Sequence, residues 1–238
     1  MVDDRLVTTT ELTDSVARLT LDRPEKLNAM NKALLRAVPE AIRDCSEYDV
    51  LIVDANGDSF TAGADLDEAQ EESEEAGLYQ EMTRATREFE GLVIGQLHGY
   101  VIGGGFEWTL SFDLRYAADD TVFKMTESEV GLPISNASTM YLPLLIGGAR
   151  ARELVYTCRD LPAAEAEEIG LVNGVFPRER LTEEVRAVAD DVVENKSSLA
   201  LRLNKKGFNN AFPVEDVLEF ETVLGDLANA DPSEGIDW

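Results

Sequence analysis

The chain has 238 residues, 44% hydrophobic and 29% charged, which is enough to bury a sizeable core and too apolar for a disordered polymer. Its formal net charge of -26 makes nucleic acid and anionic membranes poor partners. Only six of the 21 basic residues are lysine and the acids are spread along the whole chain, a pattern suited to concentrated salt, so a halophilic source is expected.

Met1 to Thr13 is polar and charged, so no secretory signal is expected. The least polar stretch, Gly91 to Phe106, is broken by Gln96, His98 and several glycines and does not read as a membrane span. A cytoplasmic location follows as the expectation. Cys45 and Cys158 stand apart without metal or redox spacing and read as buried small thiols. His98 is the single histidine, which rules out a His-based zinc site, and no spaced acidic loop suggests a carboxylate metal site. No metal or redox cofactor is expected.

In chain order, Ser15 to Leu21 alternates as a strand and ends at the turn signal Asp22-Arg23-Pro24. Asn31 is placed to cap a helix with Leu34, Leu35, Val38, Ala41, Ile42 and Cys45 on one face, which Pro39 should kink or shorten. Val50–Ala55 and Leu92–Leu97 read as short buried strands, followed by a glycine-rich turn, a helix near Gly105–Ser111 and a strand at Leu114–Ala117. Helices are expected over Ser138–Ile146, Ala149–Tyr156 and Ala163–Ile169. After Pro177 the pattern is wholly helical, at Leu181–Glu194, Ser198–Phe212 and Val214–Ala230. This order predicts an α/β core over residues 1–178 and a helical segment over 179–238.

Two segments stand out chemically. GDSFTAGADL (Gly57 to Leu66) and GYVIGGGFE (Gly99 to Glu107) each follow a buried strand, and the second opens into a helix. Glycine lets a backbone approach a ligand closely, and two N–H groups aimed at one point stabilise negative charge on a carbonyl oxygen. Taken singly, each segment reads first as a tight turn at a strand end. Neither is a dinucleotide fingerprint or a phosphate loop.

With LDRPEKLNAMN (Leu21 to Asn31) and FDLRYAADDTVFKMTESEVGL (Phe112 to Leu132), these segments occur in an order that resembles the crotonase superfamily, in particular enoyl-CoA hydratases and isomerases. The likeness runs from about Val16 to Pro177 and continues more weakly beyond. It implies the crotonase fold, shared with a ClpP-like serine protease family, of repeated ββα units with a C-terminal helical segment that mediates trimerisation. It further implies an acyl-CoA thioester as substrate, with coenzyme A present only as part of it, and a homotrimer or dimer of trimers.

Residue by residue, the resemblance assigns the oxyanion donors to the backbone N–H groups of Ala64 and Gly104. Ala62, Asp65, Leu66, Gly103 and Gly131 fall at substrate-lining positions. Glu107 matches the first catalytic glutamate; read by itself it is a first-turn carboxylate complementing a helix dipole. Glu127 matches the second, four residues before Gly131, with Thr126 where the family usually has proline. Glu129 is its alignment rival, and either reads by itself as a solvated surface acid. The implied reaction is hydration of a trans-2-enoyl-CoA, with Δ3-Δ2 isomerisation, a non-catalytic acyl-CoA binder and other chemistry on the same scaffold as alternatives. Lys26 and Arg23 are candidates for the coenzyme A phosphates, as are Lys205 and Lys206 from a neighbouring subunit. Asp67 stands where some relatives have lysine, and the acidic run Glu68 to Glu75 reads as a solvated helix face beside the acyl pocket. His98 reads as structural.

Overall fold

In the computed structural model, which describes residues 6–65 and 75–229, the strands of alternating or continuous apolar sequence assemble one mainly parallel sheet. In chain order the elements are β1 (Val7–Thr13), β2 (Val16–Leu21), α1 (Lys32–Asp44), β3 (Val50–Ala55), α2 (Glu75–Glu88), β4 (Leu92–Leu97), β5 (Tyr100–Ile102), α3 (Gly103–Thr109) and β6 (Leu114–Ala118). There follow β7 (Val122–Lys124), α4 (Ser138–Ile146), α5 (Gly148–Thr157), β8 (Leu161–Pro162), α6 (Ala163–Glu168), β9 (Gly174–Phe176), α7 (Arg178–Asn195), α8 (Ser198–Asn210) and α9 (Val214–Asn229). The large sheet runs β1-β2-β3-β4-β6-β9, antiparallel only at its β1 edge. A small second sheet, β5-β7-β8, sits beside it.

Period-two alternation sends residues to two cores. Ala17, Leu19, Leu21, Leu51, Val53, Val93 and Leu97 face the main core, which α1 and α2 and the small sheet close. Val16, Val50, Ile52 and Ile94 face the other way, onto Leu181, Val185, Ala189 and Val192 of α7. β3 is buried at every position, as expected for an interior parallel strand covered on both faces.

The helix expected after Asn31 forms, with the Asn31 side chain accepting from Leu34 N at 2.9 Å. Pro39 does not shorten it, and the helix runs through to Asp44. Burial of Leu34, Leu35, Val38 and Ile42, at roughly 1.5–3 kcal/mol per side chain, exceeds the ~3 kcal/mol cost of an interior proline. The Pro39 ring is itself buried. Strands β1, β5, β7, β8 and β9 were not expected. Most are three residues or shorter, or, in the case of β1, half exposed, so they carry little periodic signal.

Lys205 corrects one expectation. Its ammonium is 5% exposed and donates to Thr86 O, Gly91 O and Asp113 Oδ2 at 3.3, 2.8 and 2.8 Å, which locks α8 to the start of β4. Burial lowers its pKa and the Asp113 charge opposes that shift. It is therefore withdrawn from any phosphate. Lys205→Ala should destabilise the fold by about 2–3 kcal/mol, since it strands a half-buried carboxylate, and leave acyl-CoA affinity unchanged. Denaturant melts paired with a ligand titration check both.

Candidate active site

The two glycine segments are built against each other by backbone pairing. Phe60 N donates to His98 O at 2.8 Å, Thr61 N to Tyr100 O at 2.9 Å and Ile102 N to Thr61 O at 3.2 Å, so residues 60–61 ride alongside β5. On the other side, Met30 N donates to Gly63 O at 2.8 Å and Asp65 N to Met30 O at 3.1 Å. Asn28 is the hub of this arrangement. Fully buried, its side chain accepts from Arg23 N at 2.8 Å and donates to Asn56 O and Ser59 O, both at 2.8 Å.

Close approach explains the glycines here. Gly63 and Gly103 both have positive φ, +89° and +58°, which an L side chain adopts only at a cost. A Cβ on Gly63 would lie 3.2 Å from Ile102 O, and one on Gly103 would lie 3.7 Å from Gly63 Cα. The chain after each glycine therefore begins at nearly the same place. Ala64 N–H has no hydrogen-bond acceptor among the described residues, and the N–H of Gly104, in the first turn of α3, has none within its helix.

Beside these amides sit two buried carboxylates. Glu107, on α3, is 1% exposed; Ser135 N donates to its Oε1 at 2.7 Å and Ser135 Oγ to its Oε2 at 2.9 Å. Glu127, in the turn after β7, is 8% exposed, and its Oε2 is buried without a hydrogen-bond partner among the described residues. A Cβ on Gly103 would lie 3.4 Å from Glu127 Oε1, so this carboxylate faces the point where both glycine segments meet. Burial raises the pKa of Glu107 well above the ordinary carboxylate range, and repulsion from Glu127 adds to it. Burial raises Glu127 likewise. Two such groups cannot both be charged at little cost, so the pair holds a proton above the usual carboxylate range. The two Ser135 donors favour the charge on Glu107 and the bare Glu127 oxygen favours the proton there.

Glu107, Glu127, Gly103, Gly104, Gly63 and Ala64 thus come together. Ala62 is half-buried, with its N–H donating to Leu27 O at 2.9 Å. Asp65 faces Arg23 Nη1 at 2.5 Å, so these two expected ligand contacts are instead each other's partners and tie the first segment to the preceding turn. Gly131, exposed with φ +79°, turns the chain after Glu127. Lys26 is exposed at the end of the turn Pro24–Lys26. Leu66, Asp67 and most of the acidic run lie outside the described residues. Glu129 is exposed and pairs with Lys124 at 3.1 Å, which leaves Glu127 as the buried member. Sequence reasoning missed Ser135 and Asn28. Asn28 lies in a quoted motif, but nothing in spacing alone marks its role. Among the described residues, His98 Nε2 donates to Gly57 O, 3.2 Å away, and burial lowers its pKa. It lines a polar cavity of about 250 Å³ with Asp54, Gln96, Arg178 and Thr182, on the α7 side of the sheet and away from the glutamates.

A family model described as enoyl-CoA hydratase/isomerase matches residues 11–224. The chain belongs to the enoyl-CoA hydratase/isomerase family. It is 34% identical over 214 residues to the crotonyl-CoA hydratase of Syntrophomonas wolfei, covering 86% of this chain and 82% of the relative. It is 35% identical over 223 residues to an enoyl-CoA isomerase/hydratase of Mycosarcoma maydis, covering 86% and 80%. Among solved structures, an enoyl-CoA hydratase/isomerase of Pseudoalteromonas atlantica superposes with a TM-score of 0.87 at 29% identity, covering 95% of this chain and 92% of that one. The α/β crotonase fold expected from the motifs is therefore the fold of this family member.

Proposed function

We propose that the protein is an enoyl-CoA hydratase that adds water across the 2,3 double bond of a trans-2-enoyl-CoA. The observation that carries this reading is the pair Glu107 and Glu127, both buried and both raised in pKa, at the junction of the two glycine segments. The thioester oxygen sits between the N–H groups of Ala64 and Gly104, which stabilise the enolate that forms as water adds. Glu107, ionised and oriented by Ser135, takes a proton from water whose oxygen bonds to C3. The C2=C3 π electrons move to the thioester oxygen, and on their return C2 takes the proton from Glu127. Product release and proton exchange restore the starting pair. Coenzyme A is part of the substrate, and no metal or redox cofactor is invoked. The hydratase relatives support this reading, and the isomerase/hydratase of Mycosarcoma maydis keeps isomerisation, here of a Δ3 to a Δ2 double bond, as the second one. Product analysis with matched 2-enoyl and 3-enoyl thioesters tests it. Gain of one water by the 2-enoyl substrate supports hydration; a shifted double bond without mass change would reassign the chain to isomerase.

The same reading includes a cytoplasmic homotrimer or dimer of trimers. Leu199, Leu203, Phe208, Phe212, Phe220 and Val223 of the last two helices and their connection are exposed, an apolar surface suited to burial against other copies. With a net charge of -26, self-repulsion should be relieved by salt. From dilute buffer to molar potassium chloride, the melting temperature should rise by at least about 5 °C and light scattering should give a multiple of three chains. A monomer fully stable without salt would refute both points.

A further inference from the structure

The turn that carries Ser135 is itself held from a distant part of the chain. Asn136 and Ala137 both have φ of +60°, a conformation that non-glycine residues keep only when neighbours enforce it. Helix α4 begins immediately afterwards, and no side chain of its own caps it. The cap comes instead from Glu221 of α9. This carboxylate is 2% exposed, and it accepts from Ala137 N at 2.7 Å, from Thr139 N at 3.0 Å and from Thr139 Oγ1 at 2.6 Å. Three donors are what a buried carboxylate needs to offset its lost hydration. One residue further along α9, Gln80 Nε2 donates to Thr222 Oγ1 at 2.9 Å and also to Leu218 O at 3.0 Å, fixing the helix to α2. The turn reaches the site at two points. Ser135 grips both oxygens of Glu107, and Asn136 Nδ2 approaches Gly104 O at 3.5 Å while its Oδ1 accepts from Thr83 Oγ1 at 3.1 Å.

We propose that Glu221 is a positioning residue: it clamps the 135–139 turn so that Ser135 holds the Glu107 carboxylate in the orientation that activates water. The last helix thereby governs the chemical step without touching substrate. This rests on the hydratase reading above, and Glu221 also acts on the site through its charge. The ionisable groups that push up Glu107 are Glu127 and Glu221, and burial raises Glu221 itself.

The test is steady-state kinetics of wild type, Glu221→Ala and Glu221→Gln across pH with a trans-2-enoyl thioester, together with a crystal structure of Glu221→Ala. In the alanine variant kcat should fall by about 10- to 100-fold, the cost of slight misplacement, with KM within about threefold. Glu221→Gln keeps the shape but only one accepting oxygen, so it still accepts from Thr139 or from Ala137 but not from both, and its kcat should recover to a value between those of Glu221→Ala and wild type. It also removes a negative charge near Glu107, so the carboxylate limb of its pH profile should move to lower pH. A merely structural role would lower stability in both variants without moving that limb. Wild-type kcat in Glu221→Ala, or an unmoved limb in Glu221→Gln, overturns the inference. Should Glu221→Ala fail to fold, Thr139→Val removes one donor of the clamp, and an unchanged kcat there is equally fatal. If the wild type hydrates no enoyl thioester, the hydratase reading has failed. The Glu221→Ala structure then still decides the clamp: Ser135 N remaining within hydrogen-bond distance of Glu107 refutes it.

Discussion

Glu107→Gln and Glu127→Gln should each lower kcat for enoyl hydration by about 10²- to 10⁴-fold, the range for loss of a positioned acid or base, with little change in KM. Both limbs of the wild-type pH profile should belong to the pair rather than to either residue. Stability should move the opposite way for Glu107→Gln. A carboxyl whose folded pKa is raised by burial binds its proton more tightly when folded than when unfolded. Below the ordinary carboxylate range both states are protonated and nothing is lost. As pH rises from there through the raised folded value, stability is lost. At neutral pH the glutamine variant, which has no charge to bury, should melt at or above the wild-type temperature, and the advantage should vanish in acid. Thermal melts at two pH values alongside kinetics give both signs. A variant that is both inactive and less stable at neutral pH would place Glu107 among structural carboxylates instead.

Gly104→Ala should cost about 10²- to 10³-fold in kcat, as loss of one oxyanion donor does. A Cβ there would lie 2.6 Å from Cε1 of the Tyr79 ring, and Tyr79 is only 8% exposed. The ring cannot swing into solvent, so the peptide carrying the Gly104 N–H must shift. Because the bound ground state depends less on that N–H than the enolate does, KM should change far less than kcat. Stopped-flow turnover with a tight-binding enolate mimic as the affinity probe checks this. Equal losses in kcat and in binding of the unreacted thioester would argue that the amide serves recognition alone.

What the sequence disclosed depends on how local each signal is. The Asn31 cap, the buried run Val50–Ala55 and the amphipathic C-terminal helices follow from patterns within a dozen residues, and the structure has them where the pattern puts them. The strands β5, β7 and β9 were invisible because three residues are too few to show a period of two. The shortening expected at Pro39 fails for the opposite reason. A strong local rule gave way to burial of the helix face that carries it.

The same division runs through the site. The glycine segments could be read from the chain as places of close backbone approach, whereas Glu107 and Glu127 were singled out by the family resemblance, since each reads by itself as an ordinary helix-start or surface acid. Which acid is buried could not be read. Glu127 and Glu129 are two residues apart with identical chemistry, and only packing turns one inward and leaves the other paired with Lys124 on the surface. Arg23, Asp65 and Lys205 looked available for phosphate or substrate until the fold gave each a partner. Ser135, Asn28 and Glu221 carry no signature at all, since their roles consist of hydrogen bonds to residues 28, 31 and 84 or so positions away. Sequence determined the scaffold class through short-range pattern and motif order. Tertiary structure alone decided which carboxylates are desolvated, and desolvation is what raises the pKa of Glu107 and Glu127 above the ordinary range.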